Sequence, residues 1–159
     1  MTDSWTDTEL ALALSERAGS RVLIVEGDFQ RPSVHRFMRV TPAFSAGFSQ
    51  QLQARSRTKN SGWQVMRCAS SLDVLAEGAM RSPGMMLSPE FAECIAELRN
   101  HYDFLIIDAP PLTFDAECRV LDRLLDGLAI AAKRPDEPGL DRAGALFSAK
   151  TWSKLVAVT

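Results

Sequence analysis

Residues 21–28 read RVLIVEGD, and residues 102–111 read YDFLIIDAPP. Each is a short apolar run, rich in β-branched residues, that closes on an acid. Unbroken runs of this length suit strands covered on both faces. Ahead of the first run, residues 9–18 (ELALALSERA) carry an apolar stripe at Leu10, Ala13, Leu14 and Ala18, and Gly19 stands where a helix is expected to stop. Ahead of the second, Ser88 is a good N-cap and Pro89 suits the first helical position. Phe91, Cys94, Ile95 and Leu98 then follow helical spacing. Further strands are expected at 72–76, 127–132 and 154–158, and further helices at 116–125 and 140–150. Residues 47–52 read as a short helix, while 53–62 and 80–87 read as loops. Short apolar strands alternating with amphipathic helices predict an α/β fold, a mostly parallel sheet with helices on both faces and right-handed crossovers.

The composition is that of an ordinary globular chain. At 159 residues, 46% hydrophobic and 24% charged, it fits a single domain over 1–159 and excludes a disordered or fibrous protein. A net charge of -2 gives no bulk attraction to nucleic acid or an anionic membrane. Arg55, Arg57 and Lys59, near Trp63, therefore read as a solvated polar stretch, and no nucleic-acid partner is expected. No apolar run approaches the roughly 20 residues of a spanning helix, and the N-terminal MTDSWTDTEL lacks an export signal. Three widely spaced cysteines, Cys68, Cys94 and Cys118, read as reduced thiols, so the expected location is the cytoplasm.

The acids at the strand ends carry the functional reading. In open parallel sheets, ligands bind beyond the carboxyl ends of the strands. Should the two runs be neighbours, Asp28 and Asp108 can face one crevice, where oxygen ligands suit Mg²⁺ in company with phosphate. The plainer reading, that each acid caps a local turn, applies to either one alone. His35, without a second histidine near it in sequence, reads as a structural or loop residue.

These residues also carry a family resemblance. VLIVEGDFQRPSVHRF resembles the second nucleotide motif (Walker A′) of bacterial tyrosine kinases of capsule and exopolysaccharide synthesis: three apolar residues, Asp-x-Asp-x-Arg, then Pro-Ser and His. FLIIDAPP is similar to that family's Walker B strand, and AGFSQQL, LDVLAEG and LSPEFAECIAELRNHYDFLIID are similar to elements between and before them. The likeness spans roughly residues 10–159 and extends to MinD- and ParA-type P-loop ATPases. It implies a P-loop NTPase-like fold and a site for Mg-ATP or Mg-ADP. Asp28 and Asp108 fall on catalytic and Mg²⁺-binding positions, and Ser4, Glu26, Arg31 and Pro110 on cofactor-binding positions. The implied partner is a membrane-anchored polysaccharide chain-length regulator of the co-polymerase type, which would place the chain at the inner face of the membrane.

The family's first strand and its Gly-Lys-Ser/Thr loop have no counterpart in these 159 residues. Aligned on ELALALSERA, Thr2 falls at the glycine and Asp3 at the lysine; only Ser4 keeps the expected type, on the Mg²⁺-binding hydroxyl. Thr6-Asp7-Thr8-Glu9 fits a capping box, which would satisfy the helix end internally, and its acids would repel a triphosphate. Glu26 and Gln30 stand where the motif has Asp and Arg, although Arg31 is adjacent. Tyr102 is the single tyrosine, so the family's tyrosine-rich tail is not represented. The expectation is a degenerate domain, regulatory or partner-binding in polysaccharide polymerisation and export, with little or no ATP turnover alone. The alternative is an active Mg-ATP-dependent tyrosine kinase or MinD/ParA-like ATPase whose P-loop is supplied elsewhere. Without the first strand, either the runs 102–108 and 127–132 close up against each other or a sheet edge is left for another chain, from which a homo-oligomer or a partner-bound form is expected.

Overall fold

The computed structural model describes residues 4–17, 19–59, 62–78, 81–111, 115–131, 145–147 and 156–158. It comprises two compact units, Ser4–Ala109 and a second that runs from Pro110 onward. In the first, helix α1 (Ser4–Ser15) leads into β1 (Val22–Glu26), followed by a short α2 (Val34–Phe37), a 3₁₀ turn (Phe44–Ala46) and α3 (Phe48–Arg57). The chain then forms β2 (Met66–Ala69), β3 (Leu72–Leu75), a second 3₁₀ turn (Met85–Leu87), α4 (Pro89–Leu98) and β4 (Phe104–Asp108). The sheet order is β2-β3-β1-β4. β1 runs parallel to both β3 and β4, whereas β2 is antiparallel to β3. The expected α/β class and mostly parallel sheet are present.

Strand β1 is buried along its whole length, as an unbroken apolar run requires. Side chains alternate across a strand. Val22 and Ile24 therefore join Ala11, Val34, Leu72, Val74 and Ala76 in one core, under α1 and α2. A ring cluster of Phe29, Phe48 and Phe91, with centroids 5.4–6.1 Å apart, forms a second core that Trp63 extends at 6.3 Å from Phe48. Helix α4 begins where the sequence places it: the Ser88 hydroxyl accepts from the Phe91 N–H at 3.3 Å, and Pro89 is the first helical residue. Gly19, at φ +82°, turns the chain after α1.

Three local expectations are corrected. Thr6–Glu9 does not form a capping box at a helix start, because α1 already contains Ser4 and encloses those residues. The polar stretch expected over 53–62 is helical as far as Arg57. Its Arg55 side chain is only 12% exposed, ion-paired with Glu97 and stacked 5.2 Å from the Trp63 ring, whose Nε1–H also donates to Glu97 at 2.7 Å. A cation held on an aromatic face and a carboxylate keeps a polar helix anchored that no apolar stripe would reveal. Strand β2 was not expected at all; its half-buried, half-exposed alternation is that of an edge strand.

The second unit contains α5 (Asp115–Leu124) and a parallel pair, β5 (Ala129–Ala131) with β6 (Val156–Val158). Cys118 and Leu121 of α5 are buried. Most of the helix expected over 140–150 lies outside the described residues; Ala145 and Leu146 within it are helical.

Candidate functional site

The strands that carry the acids are neighbours. β1 and β4 pair in parallel with Glu26 beside Asp108, so both motifs end at one rim of the sheet. Gly27 permits the close approach: a Cβ there would lie 2.8 Å from the Asp108 carbonyl and 2.9 Å from Ile107 and Met86 atoms. The Gly27 N–H meanwhile donates to that carbonyl at 2.8 Å. Gly27→Ala is expected to cost about 1–3 kcal/mol, the range for forcing a methyl into packed space. Urea unfolding checks this; unchanged stability would show that the rim has more room than the distances give.

Each acid is engaged by the protein. Asp28 closes its own turn: its Oδ1 accepts from the N–H groups of Gln30 (3.1 Å) and Arg31 (3.0 Å). The Arg31 guanidinium lies 3.7 Å from its Oδ2, half exposed. Asp108 is 1% exposed and hydrogen-bonded to the carboxyl of Asp7, on α1. A hydrogen bond between two carboxyls needs a proton between them, and both cannot ionise cheaply at that separation. Burial raises the Asp7 pKa, and the bond to Asp108 acts in the opposite direction.

Glu26 is fully buried, with both oxygens in use. Oε1 accepts from the Val34 N–H at 2.7 Å and lies 3.4 Å from His35 Nδ1; Oε2 accepts from the Glu77 N–H at 2.7 Å. It thereby ties the start of α2 to the end of β3. His35 is accordingly a partner of Glu26. Glu77, 2% exposed, extends this network by accepting from the Ser49 N–H at 2.6 Å, within the first turn of α3. A carboxylate there caps orphan helix donors and complements the helix dipole.

Burial is the main influence on Glu77 and raises its pKa; the serines at 49 and 82 pull it back down, and the charge of Glu26 pushes it up again. A folded-state pKa raised above the unfolded value contributes stability at acid pH that is lost as pH rises through the folded pKa. Glu77→Gln should therefore lose less melting temperature than the parent as the pH rises above about 4.5. Parallel thermal melts would check this, and a steeper loss in the variant would contradict it.

Ser4 is the first described residue of α1, and its side chain lies outside the described residues. Pro110 is buried and belongs to the second unit. Asp7 and Glu77 were not singled out as site residues by sequence. Glu77 follows a buried strand just as Glu26 and Asp108 close theirs, so the same rule could have found it; Asp7, inside an apolar helix, offered only its charge. Among the described residues, no group of three or more His, Cys, Asp or Glu side chains is arranged to hold a metal ion. With the Asp28 carboxylate closing its turn and facing Arg31, and Asp108 bonded to Asp7, the residues present do not fit a ready Mg²⁺ site.

At the far end of the strands, the Tyr102 hydroxyl donates to Asp73 at 2.8 Å, the Arg21 guanidinium lies 5.1 Å from its ring, and Arg67 pairs with Asp73. Burial and then Asp73 push the phenol up to about 12. The single tyrosine is thus a structural tie.

No family model matches the chain. It is 27% identical over 136 residues to the putative tyrosine-protein kinase CapB of Staphylococcus aureus, covering 83% of this chain and 58% of that protein. It is 29% identical over 128 residues to the tyrosine-protein kinase YwqD of Bacillus subtilis (strain 168), covering 78% and 51%. Among solved structures, the chimerical protein CapA2B2 superposes with a TM-score of 0.71 at 23% identity, over 95% of this chain and 67% of that one. A ParA family ATPase from Chlorobium tepidum TLS gives 0.70 at 23% identity, over 98% and 67%. The chain is thus similar in sequence to bacterial tyrosine kinases and shares its fold with a ParA family ATPase. It spans just over half the length of these curated kinase relatives. One solved neighbour of this fold, a cobyrinic acid a,c-diamide synthase from Mycobacterium smegmatis with a TM-score of 0.60 at 15% identity, holds an ATP analog and magnesium. Among the described residues, no helix is long and apolar enough to cross a membrane.

Proposed function

We propose that this tyrosine-kinase-like chain acts by binding, as a regulatory or partner-binding component of exopolysaccharide or capsule polymerisation and export, with little or no ATP turnover alone. The observation that carries the reading is the hydrogen bond between Asp7 and Asp108. In this reading Asp108 is the Walker B acid, which has to be ionised and open to serve a metal–phosphate centre; sharing a proton with Asp7 opposes both. The closed turn of Asp28 and the saturated oxygens of Glu26 support it, because they hold the second motif in structural rather than ligand contacts. The partner in this reading is the cytoplasmic segment of a membrane-anchored chain-length regulator, which brings the chain to the inner face of the membrane. A homo-oligomer through the β4 edge of the sheet is a companion proposal: among the described residues β4 pairs with β1 alone.

Calorimetry with the cytoplasmic segment of a polysaccharide co-polymerase from the same organism tests the proposal. Binding without nucleotide, undiminished in Asp108→Asn, is the expected result. Binding that requires Mg-ATP and is lost in that variant would favour instead an active kinase or ATPase whose phosphate loop is supplied elsewhere.

A further inference from the structure

The charge of the chain is unevenly placed. Between Asp28 and Asp73 lie seven of its 18 Lys and Arg residues and none of its 20 Asp and Glu residues. That stretch carries +7 against -9 in the remainder, a division that the total of -2 conceals. Three of its cations are held by acids outside it: Arg31 by Asp28, Arg55 by Glu97 and Arg67 by Asp73. Arg36 and Arg39 are exposed and form no ion pair among the described residues.

The fold turns these two outward. Helix α2 packs into the core through Val34 and Met38, one turn apart, and the chain beyond it through Val40. Arg36 and Phe37 therefore point away from the core, and Phe37 is 45% exposed. Arg39 follows at φ +53°, a left-handed conformation that glycine or asparagine takes more readily, and the Val40 N–H closes the turn by donating to the His35 carbonyl at 2.9 Å. In the next turn Phe44 is 78% exposed. Residues 36–44 thus present two unpaired cations and two exposed rings, with no acid among them.

We propose that residues 36–44 are a docking surface for the anionic face of a lipid bilayer. Phe37 and Phe44 enter the headgroup region, and Arg36 and Arg39 meet lipid phosphates. Basic side chains beside exposed aromatics are the chemistry of interfacial attachment. Charge complementarity selects an anionic surface, and the rings select one with an apolar interior. A protein buries a ring as exposed as Phe44 only by supplying a fitted socket, whereas a lipid interface accepts it without one. The acids elsewhere in the chain oppose this weakly, because charges beyond a Debye length of about 8 Å are screened at physiological salt. The inference goes beyond the functional proposal above and does not rest on it, since it requires neither the state of Asp108 nor a protein partner.

Co-sedimentation of the intact chain with vesicles tests it. Equimolar phosphatidylglycerol and phosphatidylcholine should bind at least about 10-fold more tightly than phosphatidylcholine alone, given two cations at about 5-fold each. Phe44→Ala, at an exposed side chain, should weaken binding about 10-fold, the lower end for burial of a phenylalanine. Arg39→Gly removes a charge and suits the left-handed turn. It should weaken binding about 5-fold without lowering the melting temperature, which separates a lost contact from a lost fold. No co-sedimentation with anionic vesicles, equal binding to phosphatidylcholine alone, or unchanged binding in Phe44→Ala and Arg39→Gly would overturn the proposal. Binding of polyglutamate without binding of vesicles would also overturn it, and would assign the surface to an acidic protein. None of these failures bears on the calorimetric test of the partner, which contains no lipid.

Discussion

Replacing Glu26 by alanine should lower stability by about 2–6 kcal/mol, since two buried N–H groups each lose an acceptor at about 1–3 kcal/mol. The donors are Val34 and Glu77, both at 2.7 Å, and neither gains water in exchange because Glu26 is wholly enclosed. His35 loses its partner at the same time. Against a total of roughly 5–15 kcal/mol for a domain, this is enough to unfold a large share of molecules at ordinary temperature. Glu26→Asp, one methylene shorter, should fall between, because one carboxylate must still span α2 and β3. Urea unfolding followed by circular dichroism measures both. A loss below about 1 kcal/mol for the alanine variant would mean that the two N–H groups find other acceptors.

Phe48→Ala should be comparably severe, at about 3–5 kcal/mol. Phe48 is fully buried, touches the rings of Phe29, Phe91 and Trp63, and sits at the first position of α3, where its N–H donates to the Ala76 carbonyl at 3.0 Å. Removing it opens a cavity between α3 and α4 that surrounding rings can only partly fill. Phe44→Ala is the matched control: at 78% exposure it should stay within about 0.5 kcal/mol of the parent. Equal effects of the two substitutions would contradict the placement of the aromatic core.

What the sequence reveals and hides divides along physical lines. Strands β1 and β4 are legible because burial on both faces demands an unbroken apolar run, and α4 is legible because Ser88-Pro89 and the spacing of Phe91, Cys94, Ile95 and Leu98 agree. β2 is hidden because an edge strand of four residues, MRCA, is covered on one face only. The second half of α3 is hidden because Arg55 is anchored by Trp63 and Glu97, contacts made across 8 and 42 residues of chain. The capping box at Thr6 is a sound local signal overridden by the helix extending past it. At the rim, sequence shows two strands that each close on an acid, and the pairing of Glu26 beside Asp108 makes those strands neighbours. It cannot say that Asp28 turns back on Gln30 and Arg31, that Glu77 joins Glu26, or that Asp7 faces inward to Asp108, since each depends on tertiary contacts.

The central claim is that Asp108, bonded to Asp7, does not support phosphoryl transfer by this chain on its own. Phosphate release from Mg-ATP by the purified chain, compared with its Asp108→Asn variant, tests it most directly. The account predicts release at the buffer background for both proteins; turnover above background that disappears in Asp108→Asn would contradict it.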